Sequence, residues 1–326
     1  MKIAIVGASG MVGRTFLSIL EEKGFSHRSL TLFASSRSAG MSIKYQNHDL
    51  IVRELNEQSF DEGFDVALFS AGGSTSLKYA PIAESKGCIV IDNSSAFRMN
   101  PHVPLIVPEV NGEELKRMTG KIIANPNCST IQSVLVLNAL KELKLKRVAY
   151  TTYQAVSGSG YQGIMDLERT LNNESPSYYP QPIAHNVIPL IDVLLENGYS
   201  KEEVKMMEET RKILNLPDLK VSATCVRVPV KNAHSVSIQC EFEKEFDLNH
   251  VKELLNAHPF VKVSNEIITP RDVSGQDIAM VTRLRRDLSV DHGLHCFVVA
   301  DNIRKGAALN AIQILELLFE RSNTHV

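Results

Sequence analysis

The chain has 326 residues, and this length predicts two domains because a single hydrophobic core seldom grows much beyond ~250–300 residues. A formal net charge of -2 argues against nucleic acid as a partner, and no apolar run approaches the ~20 residues of a membrane-spanning helix. The 5 cysteines include no Cys-x-x-Cys spacing, so they indicate neither a disulfide framework nor a zinc site. Together these features predict a cytoplasmic protein that binds neither nucleic acid nor membrane.

The N-terminus reads as a strand, a glycine-rich turn and a helix, with the strand at 2–6 and the helix at 14–23. Glycines at this point let a backbone approach a pyrophosphate, which the N-terminus of the helix stabilises. The spacing is Gly-x-x-Gly-x-x-Gly rather than the commoner Gly-x-Gly-x-x-Gly. The turn therefore predicts a dinucleotide site formed by Gly7, Ser9, Gly10, Met11, Val12 and Gly13.

The second predicted strand, 30–34, is followed by no acidic residue of the kind that binds the ribose hydroxyl of NAD. Ser35, Arg37 and Ser38 stand there instead, and an arginine among hydroxyl groups suits a 2′-phosphate. This pattern favours NADP over NAD. The alternative is a solvated loop that happens to contain one arginine.

The alternation of strands and helices continues through predicted strands at 65–70, 88–92 and 121–124. It predicts an α/β, Rossmann-type, doubly wound parallel sheet, with Cys88 in its core. Ligands bind such sheets at the carboxyl ends of the strands. The candidates at these ends are Ser70 and Gly72 for the cofactor and Arg98 as an anion clamp.

Cys128 follows the turn Asn125-Pro126-Asn127 and precedes a helical run at 129–137. The positive end of a helix dipole favours a thiolate over a thiol, which is how proteins make a nucleophilic cysteine. The alternative is a small apolar residue packed at the start of a buried helix. The polar neighbours favour the nucleophile.

Beyond the cysteine the pattern changes to longer runs with period two, at 147–156, 221–228, 235–242, 278–284 and 294–300. Long strands with few helices between them predict a mostly antiparallel sheet in a second, α+β domain for catalysis and dimerisation. An amphipathic helix at 311–320 is predicted to return to the first domain. The predicted domains are residues 1–127 with 301–326, and residues 128–300.

Five local features of this second part carry predictions of their own. The turn at 157–160 is predicted to bind cofactor at Ser157 and Gly158, and residues 172–182 are predicted to form an exposed loop. Ser200 and Glu203 form a capping-box pattern. Glu209 and Lys212 have the spacing of a surface ion pair. A metal site at 291–296 is disfavoured because that segment leads directly into a strand.

With these residues in view, the chain resembles the aspartate-β-semialdehyde dehydrogenase family over nearly its whole length. The resemblance is carried by Gly7 to Gly13, by Asn125 to Thr130, by Tyr153 to Gly158, by Glu209 to Lys212, and by Cys225-Val226-Arg227 with His234-Ser235. It implies an NADP-dependent reduction of β-aspartyl phosphate to the semialdehyde, on the path to lysine, methionine and threonine. A homodimer is predicted on other grounds, because the sheet of the second domain would otherwise expose a broad face.

The resemblance implies a role for each residue of the site. Cys128 would be the nucleophile, His234 the general acid and base, and Gln154 an orienting residue. Arg227 would bind the substrate carboxylate, Glu209 its amino group, and Arg98 with Lys212 the phosphate. Asn127 is a further expected substrate residue, and Asn302 and Gln313 are further expected cofactor residues. Ala233 and Val236, beside the histidine, depart from the family's usual residues.

Two other functions remain open from the sequence. N-acetyl-γ-glutamyl-phosphate reductase shares the nucleotide domain and the cysteine, but a carboxylate such as Glu209 suits a free ammonium group better than an acylated amine. A non-catalytic paralogue that only binds NADP is the second alternative. Retention of Cys128, Arg227 and His234 together argues against it.

Overall fold

The structure is a computed structural model that describes residues 1–25 and 29–323. It divides into two compact units, Met1–Pro126 together with the chain from Ala307 onward, and Asn127–Gly306. Each unit contains one six-stranded sheet, formed entirely by its own strands. Residues 324–326 of the predicted first domain lie outside the described residues.

The first unit contains a parallel sheet whose strands alternate with helices, as the sequence predicts. Its strands are β1 (Lys2–Val6), β2 (Ser29–Ala34), β3 (Ser42–Tyr45), β4 (His48–Ile51), β5 (Arg53–Glu54), β6 (Val66–Phe69), β7 (Ile89–Asp92) and β8 (Ile122–Ala124). Its helices are α1 (Met11–Glu22), α2 (Gly73–Ser85), α3 (Pro108–Asn111) and, from the end of the chain, α9 (Leu309–Asn323).

The sheet of this unit has the order β5-β2-β1-β6-β7-β8, and every pairing in it is parallel. The strand order reverses at β1, which lies between β2 and β6. Such a reversal opens a crevice at the carboxyl ends of the two strands beside it. The Rossmann-type fold predicted from the sequence is therefore present, with its crevice next to Gly7.

The second unit holds the remaining elements around a larger sheet. Its strands are β9 (Leu145–Gln154), β10 (Lys220–Arg227), β11 (His234–Phe242), β12 (Val261–Val263), β13 (Ala279–Asp287) and β14 (Gly293–Ala300). Its helices are α4 (Cys128–Ala139), α5 (Gly160–Leu171), α6 (Lys201–Leu214), α7 (Leu248–Ala257) and α8 (Pro270–Val273).

This second sheet, in the order β10-β9-β11-β14-β13-β12, is mixed. The three central pairings are antiparallel, whereas β10 with β9 and β12 with β13 are parallel. The edge pairings are parallel because helical crossovers join their strands: α5 and α6 lie between β9 and β10, and α8 lies between β12 and β13. Helix α4 packs on β9, β11 and β14 of this sheet, and its residues from Ser129 to Leu137 are buried.

The predicted loop at 172–182 is largely exposed, but one buried carboxylate holds its backbone. Asp166 of α5 accepts hydrogen bonds from the backbone amides of Ser177, Tyr178 and Tyr179. These three bonds lower the pKa of Asp166 although burial acts to raise it. Within 1–25 and 29–323, no helix is long and apolar enough to cross a membrane.

Candidate active site

Cys128 is the first residue of α4, so this helix begins one residue earlier than the predicted start at residue 129. Asn127 caps this helix: its side-chain oxygen accepts hydrogen bonds from the amides of Ser129 at 2.9 Å and Thr130 at 3.2 Å. Two of the first amides of the helix are thus satisfied by the protein itself. The cap fixes the turn that presents the cysteine.

Gly306 lies directly against the cysteine, since a Cβ built on it would be 3.0 Å from Cβ of Cys128. This close approach permits no larger side chain without movement of the helix or of the segment around Gly306. The glycine therefore keeps the cysteine partly exposed rather than covered by a side chain.

Two buried carboxylates hold Asn127 in place. Glu209 accepts the backbone amide of Asn127 at 2.7 Å, and Glu202 accepts its side-chain amide at the same distance. Both glutamates belong to α6. Glu209 is 1% exposed, so the expectation that its pair with Lys212 lies at the surface is wrong. Burial lowers the pKa of Lys212, and only secondarily does Glu209 raise it.

His234 begins β11 and is fully buried. Its Nδ1 accepts the backbone amide of Ala155 at 3.0 Å, so the proton of the neutral ring is on Nε2. Burial, and then the charge of Arg227, lower the pKa of His234 well below the ordinary 6.5. Among the described residues Nε2 has no hydrogen-bond partner.

Arg227, at the end of β10, is the second charged group beside this histidine. Its Nη1 donates to the carbonyl of Ala155 at 2.7 Å, whereas its buried Nε has no partner in the described part of the chain. A Cβ on Gly158 would lie 2.9 Å from Nη1 of Arg227 and 3.1 Å from Nε2 of His234. The absence of a side chain at Gly158 therefore lets both nitrogens lie close to the backbone of this residue.

Gln154 is the last residue of β9 and is 1% exposed. Its Nε2 donates to Glu202 at 3.2 Å and lies 3.3 Å from the hydroxyl of Thr152. The structure thus brings Gln154 and Asn127 onto one carboxylate, Glu202. Gln132, one turn along α4 from the cysteine, donates to the carbonyl of His234 at 3.4 Å, which links the cysteine helix to the histidine strand.

Arg98 belongs to the first unit, where it lies 7% exposed. Its Nε donates to the carbonyl of Asn125 and its Nη2 to the carbonyl of Asn93, both at 2.9 Å. The arginine therefore joins the carboxyl ends of β7 and β8. Its expected contact with phosphate stays a prediction.

The glycine-rich turn has the backbone geometry that a dinucleotide site needs. Gly7 has φ +86, and a Cβ on it would lie 2.7 Å from the carbonyl carbon of Ser70. A Cβ on Gly13 would lie 2.8 Å from Cα of Ala8. Gly10 is the N-cap of α1 and provides no side-chain hydrogen bond, and α1 begins at Met11 rather than at the predicted residue 14. Ser9 and Val12 are partly exposed in the same turn.

The other first-unit candidates lie at the ends of the neighbouring strands. Arg37 and Ser35 are exposed beyond β2, and Ser38 closes a short 3₁₀ turn there. Ser70 follows β6, and Gly72, with φ +86, precedes α2. Gln313 differs: its side chain is 8% exposed and donates to Glu109 at 2.8 Å.

The cofactor candidates of the second unit surround the turn before the histidine. The side-chain oxygen of Asn302 accepts the hydroxyl of Ser157 at 3.1 Å and the amide of Ala233 at 3.0 Å. Ala233 has φ +71, a left-handed conformation that costs a residue with a Cβ about 1–2 kcal/mol. The departure noted in the sequence thus falls at a position that favours glycine, while Val236 is buried in β11.

Two residues of the site were not found from the sequence. Glu202 stood inside the recognised capping-box segment, but nothing local shows that it contacts Asn127, 75 positions earlier. The ring of Tyr179 lies 6.0 Å from the guanidinium carbon of Arg227, within the predicted loop. A cation over an aromatic face is stabilised there.

Comparison with known proteins identifies the family. The family model of the semialdehyde dehydrogenase NAD-binding domain matches residues 2–118, and that of the dimerisation domain matches residues 137–305. The aspartate-semialdehyde dehydrogenase of Aquifex aeolicus is 50% identical over 97% of both chains. The chain belongs to the aspartate-semialdehyde dehydrogenase family.

Solved structures of this family agree with that assignment. The Vibrio cholerae aspartate semialdehyde dehydrogenase II, complexed with ASA, has a TM-score of 0.91 and 43% identity and covers 98% of both chains. The Candida albicans aspartate semialdehyde dehydrogenase with NADP has a TM-score of 0.76 and 26% identity, covering 97% of this chain and 98% of that one. The predicted family and fold class are therefore confirmed, and the chain is an oxidoreductase with an NAD-binding domain.

Proposed function

We propose that this aspartate-semialdehyde dehydrogenase reduces β-aspartyl phosphate with NADPH through a thioester on Cys128, on the path to lysine, methionine and threonine. One observation carries the proposal. Two buried nitrogens, Nε2 of His234 and Nε of Arg227, have no partner among the described residues, and both side chains lie close to Gly158, the imidazole through Nε2 and the guanidinium through Nη1. Buried polar atoms are usually paired, so an acidic and oxygen-rich ligand is the natural partner.

The first step joins the thiolate sulfur of Cys128 to the acyl carbon. The bond from that carbon to the phosphate oxygen breaks, and inorganic phosphate leaves with the electron pair. A thioester remains, which is reactive toward both hydride and phosphate, so the same intermediate serves both directions. The cap by Asn127 holds the helix N-terminus from which the sulfur attacks.

The second step is the reduction of the thioester, for which bound NADPH supplies the hydride. His234 donates a hydrogen bond from Nε2 to the oxygen that becomes negative, since Nε2 carries the proton of the neutral ring. Collapse of this oxyanion then re-forms the carbon–oxygen double bond, expels the thiolate of Cys128 and releases the aldehyde. Because burial keeps the pKa of His234 low, the neutral ring persists across the neutral pH range.

The substrate is held at its other end by charge. Arg227 presents a planar guanidinium suited to the α-carboxylate, and Tyr179 lies against one face of it. Glu209 suits the α-ammonium group, which distinguishes a free amino acid from an acylated one. Lys212, on the same face of α6, is the phosphate residue of this unit, and Arg98 the proposed one of the first unit.

The first unit fits a dinucleotide. Its crevice adjoins a turn in which a side chain at Gly7 or Gly13 would collide with neighbouring backbone atoms. Helix α1 begins without a side-chain cap, so its first amides are suited to bind a pyrophosphate. Exposed Arg37 stands where a 2′-phosphate would lie after β2. These features support NADP as the cofactor.

A second copy of the chain is the proposed partner. The face of the second sheet that carries Tyr153 includes a groove of about 470 Å³, lined in part by Val230, Ile267, Pro270 and Phe297. Ile267 is 66% exposed, and exposed apolar surface of this kind marks an interface. The match to a dimerisation domain supports a homodimer.

None of the 5 cysteines forms a disulfide in the described part of the chain, which suits the reducing cytoplasm.

The test of the reaction is phosphate-dependent reduction of NADP by aspartate-β-semialdehyde, with Cys128→Ala beside the wild type. We expect the wild type to need phosphate and the variant to lose activity by a factor of about 10³ or more, because the nucleophile is gone. Turnover of only the acetylated five-carbon substrate would instead support the N-acetyl-γ-glutamyl-phosphate reductase. NADPH binding without any turnover would support the paralogue.

The cofactor preference is tested with Arg37→Ala. Loss of one charged hydrogen-bond donor to the 2′-phosphate is expected to raise KM for NADPH by about 10–100-fold, with KM for NADH unchanged. Arg53→Ala is the matched control, because Arg53 also lies at the edge of this sheet but is paired with Glu62. Equal changes for both cofactors would contradict an NADP-specific role for Arg37.

A further inference from the structure

Glu202 lies where three groups of the second unit meet. One carboxylate oxygen accepts both the side-chain amide of Asn127 at 2.7 Å and that of Gln154 at 3.2 Å. The other oxygen accepts Nζ of Lys205 at 3.1 Å, and Lys205 also donates to Asp192 at 2.7 Å. A chain of contacts thus runs from the exposed Asp192 to the residue before Cys128.

The charge state of this chain is set by its members. The carboxylate of Glu202 is 6% exposed, and although burial acts to raise it, Lys205 and the hydrogen bond from Asn127 lower the pKa of Glu202. Burial acts to lower the pKa of Lys205. The nearby carboxylates of Glu202 and Asp192 outweigh this effect, so the pKa of Lys205 is raised. Glu202 is therefore an ionised carboxylate, which can accept hydrogen bonds but cannot donate one.

An acceptor at this point determines which way both amides face. The NH₂ group of Asn127 must turn toward Glu202, which leaves its oxygen to cap α4. The NH₂ group of Gln154 must also turn toward Glu202, so its oxygen faces away from the carboxylate. If either amide rotated by half a turn, an oxygen would meet the carboxylate, and at Asn127 an NH₂ group would meet two backbone donors.

We infer that Glu202 is a positioning residue, which orients Asn127 and Gln154 around Cys128 while Lys205 neutralises its charge. The inference rests on the proposed function, because it assigns the two amides to the thioester chemistry of Cys128. Glu202 does not touch the reacting atoms. Its effect on the rate passes through the two amides.

Glu202→Gln tests this inference because the new side chain is nearly the same size and creates a conflict. If its oxygen faces the two amides, its NH₂ group meets the ammonium of Lys205. If the oxygen faces Lys205, the NH₂ group meets the amides of Asn127 and Gln154. We expect kcat to fall by about 10–100-fold through the lost alignment, with KM for the semialdehyde unchanged.

Two further variants separate positioning from stability. Glu203→Gln removes the neighbouring carboxylate of the same helical turn, which binds the amides of Ser200 and Cys225 but neither side-chain amide. We expect its kcat to stay within about threefold of the wild type. Glu202→Gln combined with Lys205→Met removes the competing donor, so the glutamine oxygen can face both amides. This double variant is expected to recover most of the lost kcat.

The inference is overturned by full activity of Glu202→Gln, by an equal loss in Glu203→Gln, or by a double variant no better than Glu202→Gln. If the wild type itself fails to turn over the semialdehyde, the proposed function has failed, and the exchange of side-chain amide protons measured by NMR decides instead. Protection of the Asn127 and Gln154 amides must then fall in Glu202→Gln but not in Glu203→Gln. Equal protection in both variants also overturns the inference.

Discussion

Helix α1, at the proposed cofactor site, and helix α4, which carries Cys128, begin in contrasting ways. Both follow a parallel strand and a short turn. Helix α1 begins after Gly10 with no side-chain cap, whereas α4 begins after Asn127, which satisfies two of its amides. Helix ends leave several amides without partners, which either a ligand or the protein can bind. The open end suits a phosphate that comes and goes, and the capped end suits a nucleophile that must stay in one place.

The largest effect is expected from adding a methyl group to the open turn. Gly7→Ala combines a left-handed φ with contact against the carbonyl of Ser70, so we expect a loss of roughly 2–5 kcal/mol in the free energy of unfolding. Urea unfolding measures this, and an NADPH titration should show weakened binding.

Gly40→Ala is the matched control for that change. Gly40 has φ +83 but no atom within 4 Å of a Cβ built on it, so only the cost of the conformation, about 1–2 kcal/mol, is expected. Equal losses for the two variants would show that close approach to Ser70 does not constrain the turn.

A smaller effect is expected from opening the capped end. Asn127→Ala should lower the free energy of unfolding by about 1–2 kcal/mol and the activity by about tenfold, because the turn before Cys128 loosens. Asp247 caps α7 in the same manner, by accepting the amides of Asn249 and His250, and it is not one of the site residues. Asp247→Ala should lose comparable stability with activity unchanged, as thermal unfolding and the standard assay would show. Equal losses of activity would mean that the cap at Asn127 has no special role.

The smallest change in stability is expected from closing the open end. Gly10→Asn would give α1 its own cap, at a position with φ -76 that asparagine adopts readily. We expect stability to change by only a few tenths of a kcal/mol, because the gain from the cap is opposed by the approach of the new Cβ to within 3.3 Å of the carbonyl oxygen of Gly7. NADPH binding should weaken about tenfold, because the new side-chain oxygen competes with phosphate for the amides. Scanning calorimetry measures the stability, and titration calorimetry measures the affinity for NADPH. Unchanged NADPH affinity would show that the amides of α1 do not bind the cofactor.

The contrast also explains what the sequence could and could not predict. Strands, glycine turn and cysteine are visible in the sequence because each depends on neighbouring residues with regular spacing. The positions of Arg227 and His234 came from family resemblance, since nothing in their own segments indicates that they converge on Gly158. Glu202 was not found, because its partner Asn127 is 75 residues away. Burial of Glu209 was missed for the same reason.

Backbone conformation is the other feature that the spacing of residues in the sequence did not predict. The sequence marked Ala233 as a departure from the family, but only the structure places it at φ +71 with its amide held by Asn302. Its methyl group packs with Val273 and Val299. A favourable packing contact thus partly offsets an unfavourable conformation, and pattern reasoning does not weigh the two.

The placement of α9 has a consequence for synthesis on the ribosome. Asn310 donates to the carbonyl of Ile106 at 2.9 Å and to the side chain of Asn125 at 2.7 Å, 185 positions earlier. A nascent chain that has emerged only as far as β14 has made every strand of the first unit but not this asparagine. The first unit begins to form first during translation and is the last to be completed.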